Sequence, residues 1–326
     1  MILRAGVLGL GVMGRHHTRV LASLDGVEFV GVYDPADGVP AQVEGRPVVK
    51  ELDAFLDLGV DYCVVSVPTI YHLEIGRTLA ERGIHALIEK PVASDAESAQ
   101  ELVRLFADAD LIGGVGHIER YNPALQSMRT RIADGMLGEI YQITTRRQGP
   151  FPGRIADVGV IKDLATHDID LTAWASQQSY VTINARTAFR SGRAHEDMVL
   201  AIATLSKGTI ASHTVNWLTP FKERTTIVTG EHGSLVADTL TADLTYFENG
   251  VVHNSWAGIS DFRGVSEGDV TRFALVKREP LLSEHEAFRD AILTRDTSGI
   301  VTLAQGADVV VIAEKLVADG LDHRLT

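Results

Sequence analysis

Residues 5–14, Ala5-Gly6-Val7-Leu8-Gly9-Leu10-Gly11-Val12-Met13-Gly14, decide the fold of the first half of this chain. An apolar run leads directly into Gly9-x-Gly11-x-x-Gly14, and a helical pattern follows through Val20-Leu21. Glycines at this spacing between a strand and a helix permit a tight turn, close approach of backbone amides to a pyrophosphate, and close packing of the helix on the strand. The order of elements predicts a dinucleotide site.

The next strand ends at Asp34, 20 residues beyond Gly14. A carboxylate there accepts two hydrogen bonds from a ribose diol and repels a 2′-phosphate. Because no arginine or lysine follows until Arg46, the sequence predicts NAD rather than NADP. His72, just after the next apolar strand, either caps a helix or faces the nicotinamide side. The further predicted cofactor contacts are Val12, Met13, Val67, Pro68, Thr69, Glu89 and Lys90.

Strands and helices alternate over the first 115 or so residues, which indicates a parallel, doubly wound sheet of the Rossmann type. One of these helices is expected over 94–107 with Ser94 as its cap. Beyond Gly116 the pattern changes to long alternating segments such as residues 182–186, typical of an antiparallel sheet with one covered face. We therefore expect an α/β protein with two domains. We expect residues 1–118 to form the Rossmann domain and 119–326 to form an α/β domain with a large, mainly antiparallel open sheet; packing of the terminal helices back on the first domain is left open.

Three residues carry the predicted chemistry. Lys90 directly follows the strand 84–88, at the sheet edge where ligands bind in such folds, and can stabilise a developing alkoxide. Asp163 and His167 are spaced i and i+4, so in a helix they share one face. An imidazole suits a base near neutral pH. Asp168 and Asp170 leave another interpretation open, since an acidic helix start also favours the helix dipole.

Composition excludes several classes of function. The formal net charge of −13 disfavours nucleic acid and anionic membranes. The single cysteine, Cys63, is expected to be buried, and no signal peptide or membrane span is visible, so we expect a cytoplasmic protein. No metal is predicted: Asp163, His167 and Asp170 could ligate zinc, but no cysteines support such a site.

These segments together resemble the Gfo/Idh/MocA oxidoreductase family over essentially the whole chain. The matching residues are Gly9, Gly11 and Gly14, Asp34, Val67-Pro68-Thr69 with His72, Glu89-Lys90-Pro91, and Asp163 with His167. The resemblance implies that His167 is the general acid/base, that Lys90 orients the reacting hydroxyl, and that Asp163 positions substrate and tunes Lys90. It also implies a homodimer or homotetramer, because the open sheet often forms the oligomer interface in this family.

A narrower resemblance is to the nucleotide-sugar branch, which includes UDP-N-acetylglucosamine 3-dehydrogenases. It is carried by residues 116–124, 149–155 and 157–170; Ala165 stands where many free-sugar and polyol dehydrogenases have the glycine of Asp-x-Gly-x-His. It implies oxidation of a sugar 3-hydroxyl, with NAD as cofactor. Two alternatives stay open: a dehydrogenase of a free sugar or cyclitol, and a non-catalytic NAD-binding regulator. The predicted substrate contacts are Lys90, Tyr121, Asn122, Arg147, Arg154, Asp163 and His167.

Overall fold

The computed structural model describes residues 2–153, 158–250 and 266–323. The chain divides into two units. The first unit comprises Met1–Tyr121 and Arg278–Glu314, and the second comprises Asn122–Lys277 and Lys315–Thr326. Within the described ranges, every helix is too short or too polar to cross a membrane.

The first unit is built on a seven-stranded sheet with the strand order β3-β4-β2-β1-β5-β6-β7. All its neighbouring strands are parallel except β3 and β4. The strands are β1 (Leu3–Leu8), β2 (Val27–Tyr33), β3 (Gln42–Val43), β4 (Arg46–Val49), β5 (Tyr62–Val65), β6 (His85–Glu89) and β7 (Gly113–Gly116). The helices between them are α1 (Val12–Leu21), α2 (Leu52–Leu56), α3 (His72–Glu81) and α4 (Ala96–Asp108). The predicted doubly wound parallel sheet is confirmed.

The middle of this sheet is covered on both faces. Every residue of β5 is fully buried, which explains its continuous apolar sequence, since a parallel strand between two layers of helices has no solvent face. Cys63 is part of this strand and is buried as expected. Burial raises the pKa of its thiol, so Cys63 is a packing residue and not a reactive one.

The predicted cap of α4 is wrong by one residue. Asp95, not Ser94, is the N-cap: one oxygen of its carboxylate accepts from the Ser98 backbone N at 2.8 Å. The other oxygen accepts from the Ser98 hydroxyl at 2.9 Å. A carboxylate competes well for this position because its charge also favours the helix dipole.

The second unit is built on an eight-stranded sheet with the order β15-β14-β13-β12-β8-β11-β10-β9. Only β8 and β11 pair in parallel; the other pairs are antiparallel. The elements in chain order are α5 (Pro123–Ala133), β8 (Ile140–Pro150), α6 (Thr166–Ser176), β9 (Tyr180–Ala188), β10 (Met198–Leu205), β11 (Ile210–Asn216), β12 (Leu218–Gly230), β13 (Gly233–Asp238), β14 (Asp243–Gly250) and β15 (Ser266–Phe273). This is the mainly antiparallel sheet expected from the sequence.

One face of this sheet carries the core of the second unit. Alternate residues of β10, such as Ala203 and Leu205, are buried, and they share a hydrophobic cluster with Leu125 of α5 and Leu171 of α6. The residues between them point the other way. Ile202, for example, is 57% exposed. The period of two therefore separates a covered face from an open one.

Two helices follow the second sheet along the chain. Helix α7 (Pro280–Thr294) belongs to the first unit. Its Phe288 lies edge-on to Tyr62 of β5, with ring centroids 5.5 Å apart. Helix α8 (Leu303–Asp322) begins in the first unit, and its residues from Lys315 belong to the second. Pro280 occupies the first turn of α7, where its missing N–H is not needed.

Candidate active site

The glycine-rich turn meets the geometric requirements of a pyrophosphate site. Gly9 has φ of +93°, and a Cβ there would lie 2.8 Å from the Ser66 carbonyl oxygen. A Cβ on Gly14 would lie 2.0 Å from the Gly9 oxygen, whereas a Cβ on Gly11 would meet nothing within 4 Å. Packing thus requires the first and third glycines, and the second leaves open space at the N-terminus of α1. That space, beside first-turn N–H groups, fits the pyrophosphate of a dinucleotide.

Asp34 is fixed against this turn by backbone amides. One carboxylate oxygen accepts from Leu10 N at 2.7 Å, and the other accepts from Ala36 N at 2.9 Å. A carboxylate has about four lone-pair sites, so it can still accept from a ribose diol. Sequence reasoning missed one neighbour: Lys50, just after β4, donates to the Ala36 carbonyl oxygen. A cation that follows β4 therefore bonds to the loop that contains Asp34.

His72 connects two of the predicted cofactor segments. It follows the turn 67–69, and its ring is 1% exposed. One ring nitrogen lies 3.0 Å from the Val67 carbonyl oxygen, and the other lies 3.1 Å from that of Pro91. Burial lowers the pKa of His72 despite these acceptors, and a neutral ring donates through only one nitrogen. The ring holds the turn after β5 beside the loop after β6; it makes no cap for α3, whose N-cap residue is Tyr71.

Lys90 is the first residue after β6, at the carboxyl end of the parallel sheet. Its backbone N donates to Glu89 Oε2 at 3.1 Å. The other oxygen of Glu89 lies 2.9 Å from Nε2 of His17 in α1. Burial favours the neutral form of Glu89, but the hydrogen bond from His17 and the positive charge of Lys90 outweigh it and lower the pKa. A buried carboxylate, bonded to the protein through both oxygens, therefore adjoins Lys90.

Asp163 and His167 lie on one helical segment of the second unit. A π-helical turn, Ile161–Ala165, contains Asp163 and runs directly into α6, which contains His167. The two side chains are 7% and 8% exposed. The sequence predicted an ordinary α-helix here; the wider π turn is a feature often found at functional sites. Among the residues described, no group of three or more His, Cys, Asp or Glu side chains is arranged to hold a metal ion.

Arg147 and Asp168 form a buried ion pair beside His167 in sequence. Arg147 Nε donates to Asp168 Oδ1 at 2.9 Å, and the two side chains are 4% and 2% exposed. The carboxylate of Asp168 thus has a structural partner, Arg147, which separates it from the catalytic role predicted for Asp163. Arg146, in contrast, has half of its side chain exposed and contacts Glu223. Arg154, the other arginine predicted to contact substrate, lies outside the described residues.

Tyr121 and Asn122, also predicted to contact substrate, are buried and make hydrogen bonds within the protein. The Asn122 side chain caps α5 by accepting from Ala124 N at 3.0 Å, and it donates to the Thr239 carbonyl oxygen at 3.0 Å. The Tyr121 hydroxyl donates to the Gly299 carbonyl oxygen at 3.3 Å. These bonds fix the chain where α5 begins, and contact with substrate stays a prediction for both residues.

Residues 3–117 match the model of an oxidoreductase family with an NAD-binding Rossmann fold. The model of the GFO/IDH/MocA C-terminal domain matches residues 125–236. The NAD-binding model confirms the cofactor predicted from the glycine-rich turn and Asp34.

Similarity to individual proteins extends over both units. The chain is 29% identical over 294 residues to the UDP-N-acetylglucosamine 3-dehydrogenase of Acidithiobacillus ferrooxidans, covering 89% of this chain and 88% of that one. A solved structure of that enzyme superimposes with a TM-score of 0.84 at 26% identity, covering 98% of this chain and 97% of the other. An inositol 2-dehydrogenase of Saccharopolyspora erythraea is 30% identical over 209 residues, 60% of each chain.

The position of Asp34 predicts a preference for NAD that depends on its carboxylate. Replacing Asp34→Ser removes a charged acceptor, and we expect NAD affinity to fall by about 10- to 100-fold, the range that corresponds to a charged hydrogen bond. NADP affinity should rise, because the carboxylate that repels the 2′-phosphate is gone while the Lys50 cation bonded to this loop stays. Asp37→Ser, in the same loop and exposed, is the matched control. Dissociation constants for both cofactors test this; tighter binding of NADP by the unmodified protein would contradict it.

Proposed function

We propose that this chain, which belongs to the Gfo/Idh/MocA oxidoreductase family, oxidises the 3-hydroxyl of a UDP-N-acetylglucosamine-type nucleotide sugar to a ketone. The broader activity is established by the comparisons: the chain is an NAD-dependent oxidoreductase acting on CH–OH groups. The observation that carries the narrower proposal is the extent of similarity to the A. ferrooxidans enzyme, 89% of this chain. Similarity to the inositol dehydrogenase covers 60%.

The proposed reaction moves one proton and one hydride. NAD, when bound, supplies the acceptor for the hydride that leaves the carbinol carbon. His167 takes the hydroxyl proton as the O–H bond breaks and the C=O bond forms. The Lys90 ammonium donates a hydrogen bond to the reacting oxygen and stabilises the negative charge that develops on it. Asp163 positions the sugar and tunes Lys90. These three roles are those that the family resemblance implies.

A free sugar or cyclitol is the second candidate substrate. The inositol 2-dehydrogenase relative, at 30% identity, favours it. Against it stands Ala165, which replaces the glycine of the motif Asp-x-Gly-x-His that many such enzymes carry. Both candidates use the same three catalytic side chains, so only a direct comparison of substrates separates them.

Removing the Lys90 ammonium should abolish most turnover without loss of cofactor. In Lys90→Met we expect kcat to fall by about 10²-fold or more, the scale of an electrostatic contribution to a transition state. NAD affinity should change little, because the backbone bond from residue 90 to Glu89 is kept. Lys207→Met, which alters an exposed turn lysine, is the control. Steady-state NADH formation and NAD titration measure both effects, and a Lys90→Met enzyme with normal turnover would refute the assignment.

The substrate proposal predicts that the nucleotide is required for turnover. NADH formation is measured with NAD and UDP-N-acetylglucosamine, free N-acetylglucosamine, or myo-inositol, with and without added UDP. We expect turnover with the UDP-sugar and none with the two free compounds. UDP should inhibit competitively with the UDP-sugar, because binding energy from the nucleotide is used at the reacting sugar. Turnover with only the free compounds, unaffected by UDP, would keep the catalytic residues and overturn the nucleotide-sugar assignment.

We also propose a homodimer or homotetramer formed through the open face of the second sheet. Strand pairing places Ile202, Ile210, Phe247 and Val270 on that face, and each is at least 42% exposed. Broad apolar faces of this kind usually mark an interaction surface.

Sedimentation velocity tests this interface. We expect the unmodified chain to sediment as a dimer or tetramer, and Ile202→Glu to lower the sedimentation coefficient because it buries an unpaired charge at the interface. Val276→Glu, which changes an 84% exposed residue outside the strands, is the control. A monomeric unmodified protein, or an Ile202→Glu variant with unchanged assembly, would contradict the proposal.

A further inference from the structure

Four titratable side chains are buried close to one another in the first unit, next to Lys90. They are His17 of α1, Glu89 of β6, and Glu284 and His285 of α7. Glu89 is 8% exposed and the other three are fully buried. Four ionisable groups without solvent are unusual unless each is paired or neutral, so their bonds and charges require an explanation.

Three of these side chains form a continuous line of hydrogen bonds that ends at Lys90. Lys90 N donates to Glu89 Oε2. Glu89 Oε1 lies 2.9 Å from His17 Nε2, and His17 Nδ1 lies 2.9 Å from His285 Nε2. A carboxylate only accepts, so His17 Nε2 is the donor to Glu89. One hydrogen is shared between His17 Nδ1 and His285 Nε2, so the proton positions on the two rings are coupled.

The negative charge of this cluster resides on Glu89. Burial lowers the pKa of His285 well below its usual range, and the charge of His17 adds to this effect. Burial raises the pKa of Glu284 well above its usual range, and the negative charge of Glu89 adds to it. Neither oxygen of Glu284 has a hydrogen-bond partner among the described residues. Glu284 is therefore a neutral acid, whereas Glu89, bonded at both oxygens, is the carboxylate.

We propose that His17 and His285 are positioning residues that act on Lys90 through Glu89. The two imidazoles hold the Glu89 carboxylate in one orientation, and the carboxylate holds the Lys90 backbone amide at the point where the chain leaves β6. The inference rests on the role proposed for Lys90 above. The titratable groups around Glu89 are Lys90 itself, the two histidines, Glu284, and His72 of α3, on which the charge of Glu89 also acts.

A purely structural role makes a different prediction. If the two imidazoles only pack α7 against α1, then shape matters and the donor at His17 does not. A positioning role requires an N–H donor toward Glu89 and a negative charge on Glu89. Methionine fills the space of His17 without a donor, whereas a glutamine amide supplies a donor to Glu89 and an acceptor for His285. The pair of variants separates the two roles.

The first set of measurements compares kcat, KM for the sugar and NAD affinity. We expect His17→Met and Glu89→Gln to lose about 10-fold or more in kcat, with KM and NAD affinity changed by about twofold or less. His17→Gln should recover most of the kcat, and His285→Met should show a smaller loss in the same direction. Glu284→Gln replaces a neutral acid with a neutral amide and should retain normal kcat. Thermal unfolding verifies that each variant is folded.

The split between kcat and KM, together with the recovery of kcat in His17→Gln, gives a readout that packing alone would not move. If His17→Met fails to fold, Glu89→Gln and His17→Gln still test the inference, because both replacements keep the side-chain volume nearly unchanged.

The outcomes distinguish this inference from the function on which it rests. Normal turnover in Lys90→Met would refute the catalytic role of Lys90 and the inference with it. If Lys90→Met is inactive but Glu89→Gln keeps the unmodified kcat, only the positioning role is refuted. Equal loss of kcat in His17→Gln and His17→Met would also refute it, because the hydrogen-bond donor would then be irrelevant.

Discussion

A buried carboxylate must be paired, and in the first unit this requirement fixes the end of β6. Glu89 has almost no contact with solvent, so its charge is tolerated only because Lys90 N and His17 each bond to one oxygen. The pairing joins β6 to α1, and His285 extends it to α7. Elements far apart in sequence are therefore held together at the point where the candidate catalytic lysine leaves the sheet.

The second unit meets the same requirement with different residues. Asp168 is buried beside His167, and the guanidinium of Arg147 in β8 pairs with it. In both units a candidate catalytic residue is the immediate sequence neighbour of a buried carboxylate with a specific partner. Removing one member of such a pair leaves an uncompensated buried charge, which is strongly destabilising. The backbone next to each of these two candidate catalytic residues is thus held by a paired buried carboxylate as well as by apolar packing.

Local patterns were sufficient for the fold, for the identity of the cofactor and for the conformation of the glycine-rich turn. The glycine spacing, the strand ending at Asp34 and the alternation in β10 each depend on neighbours within one or two elements, and the structure has all three. The His17–His285 bond joins residues 268 positions apart, and no local pattern contains it. The one available signal was that His17 lies on the buried stripe of α1. The π turn around Asp163 was missed because hydrophobic periodicity does not resolve a single extra residue per turn.

In the first unit we expect backbone N–H groups, and not charged side chains, to bind the pyrophosphate of the dinucleotide. A chain with a net charge of −13 does not attract a dinucleotide by its overall field, so the attraction has to be local. Here it comes from N–H groups at the start of α1 beside the space above Gly11. Backbone dipoles do not titrate and do not distinguish one pyrophosphate from another. We therefore expect discrimination between cofactors to depend on Asp34, whose carboxylate accepts a hydrogen bond from the Leu10 amide of the same turn. Phosphate binding and cofactor choice consequently depend on a single backbone conformation, which only glycine at position 9 can adopt without strain.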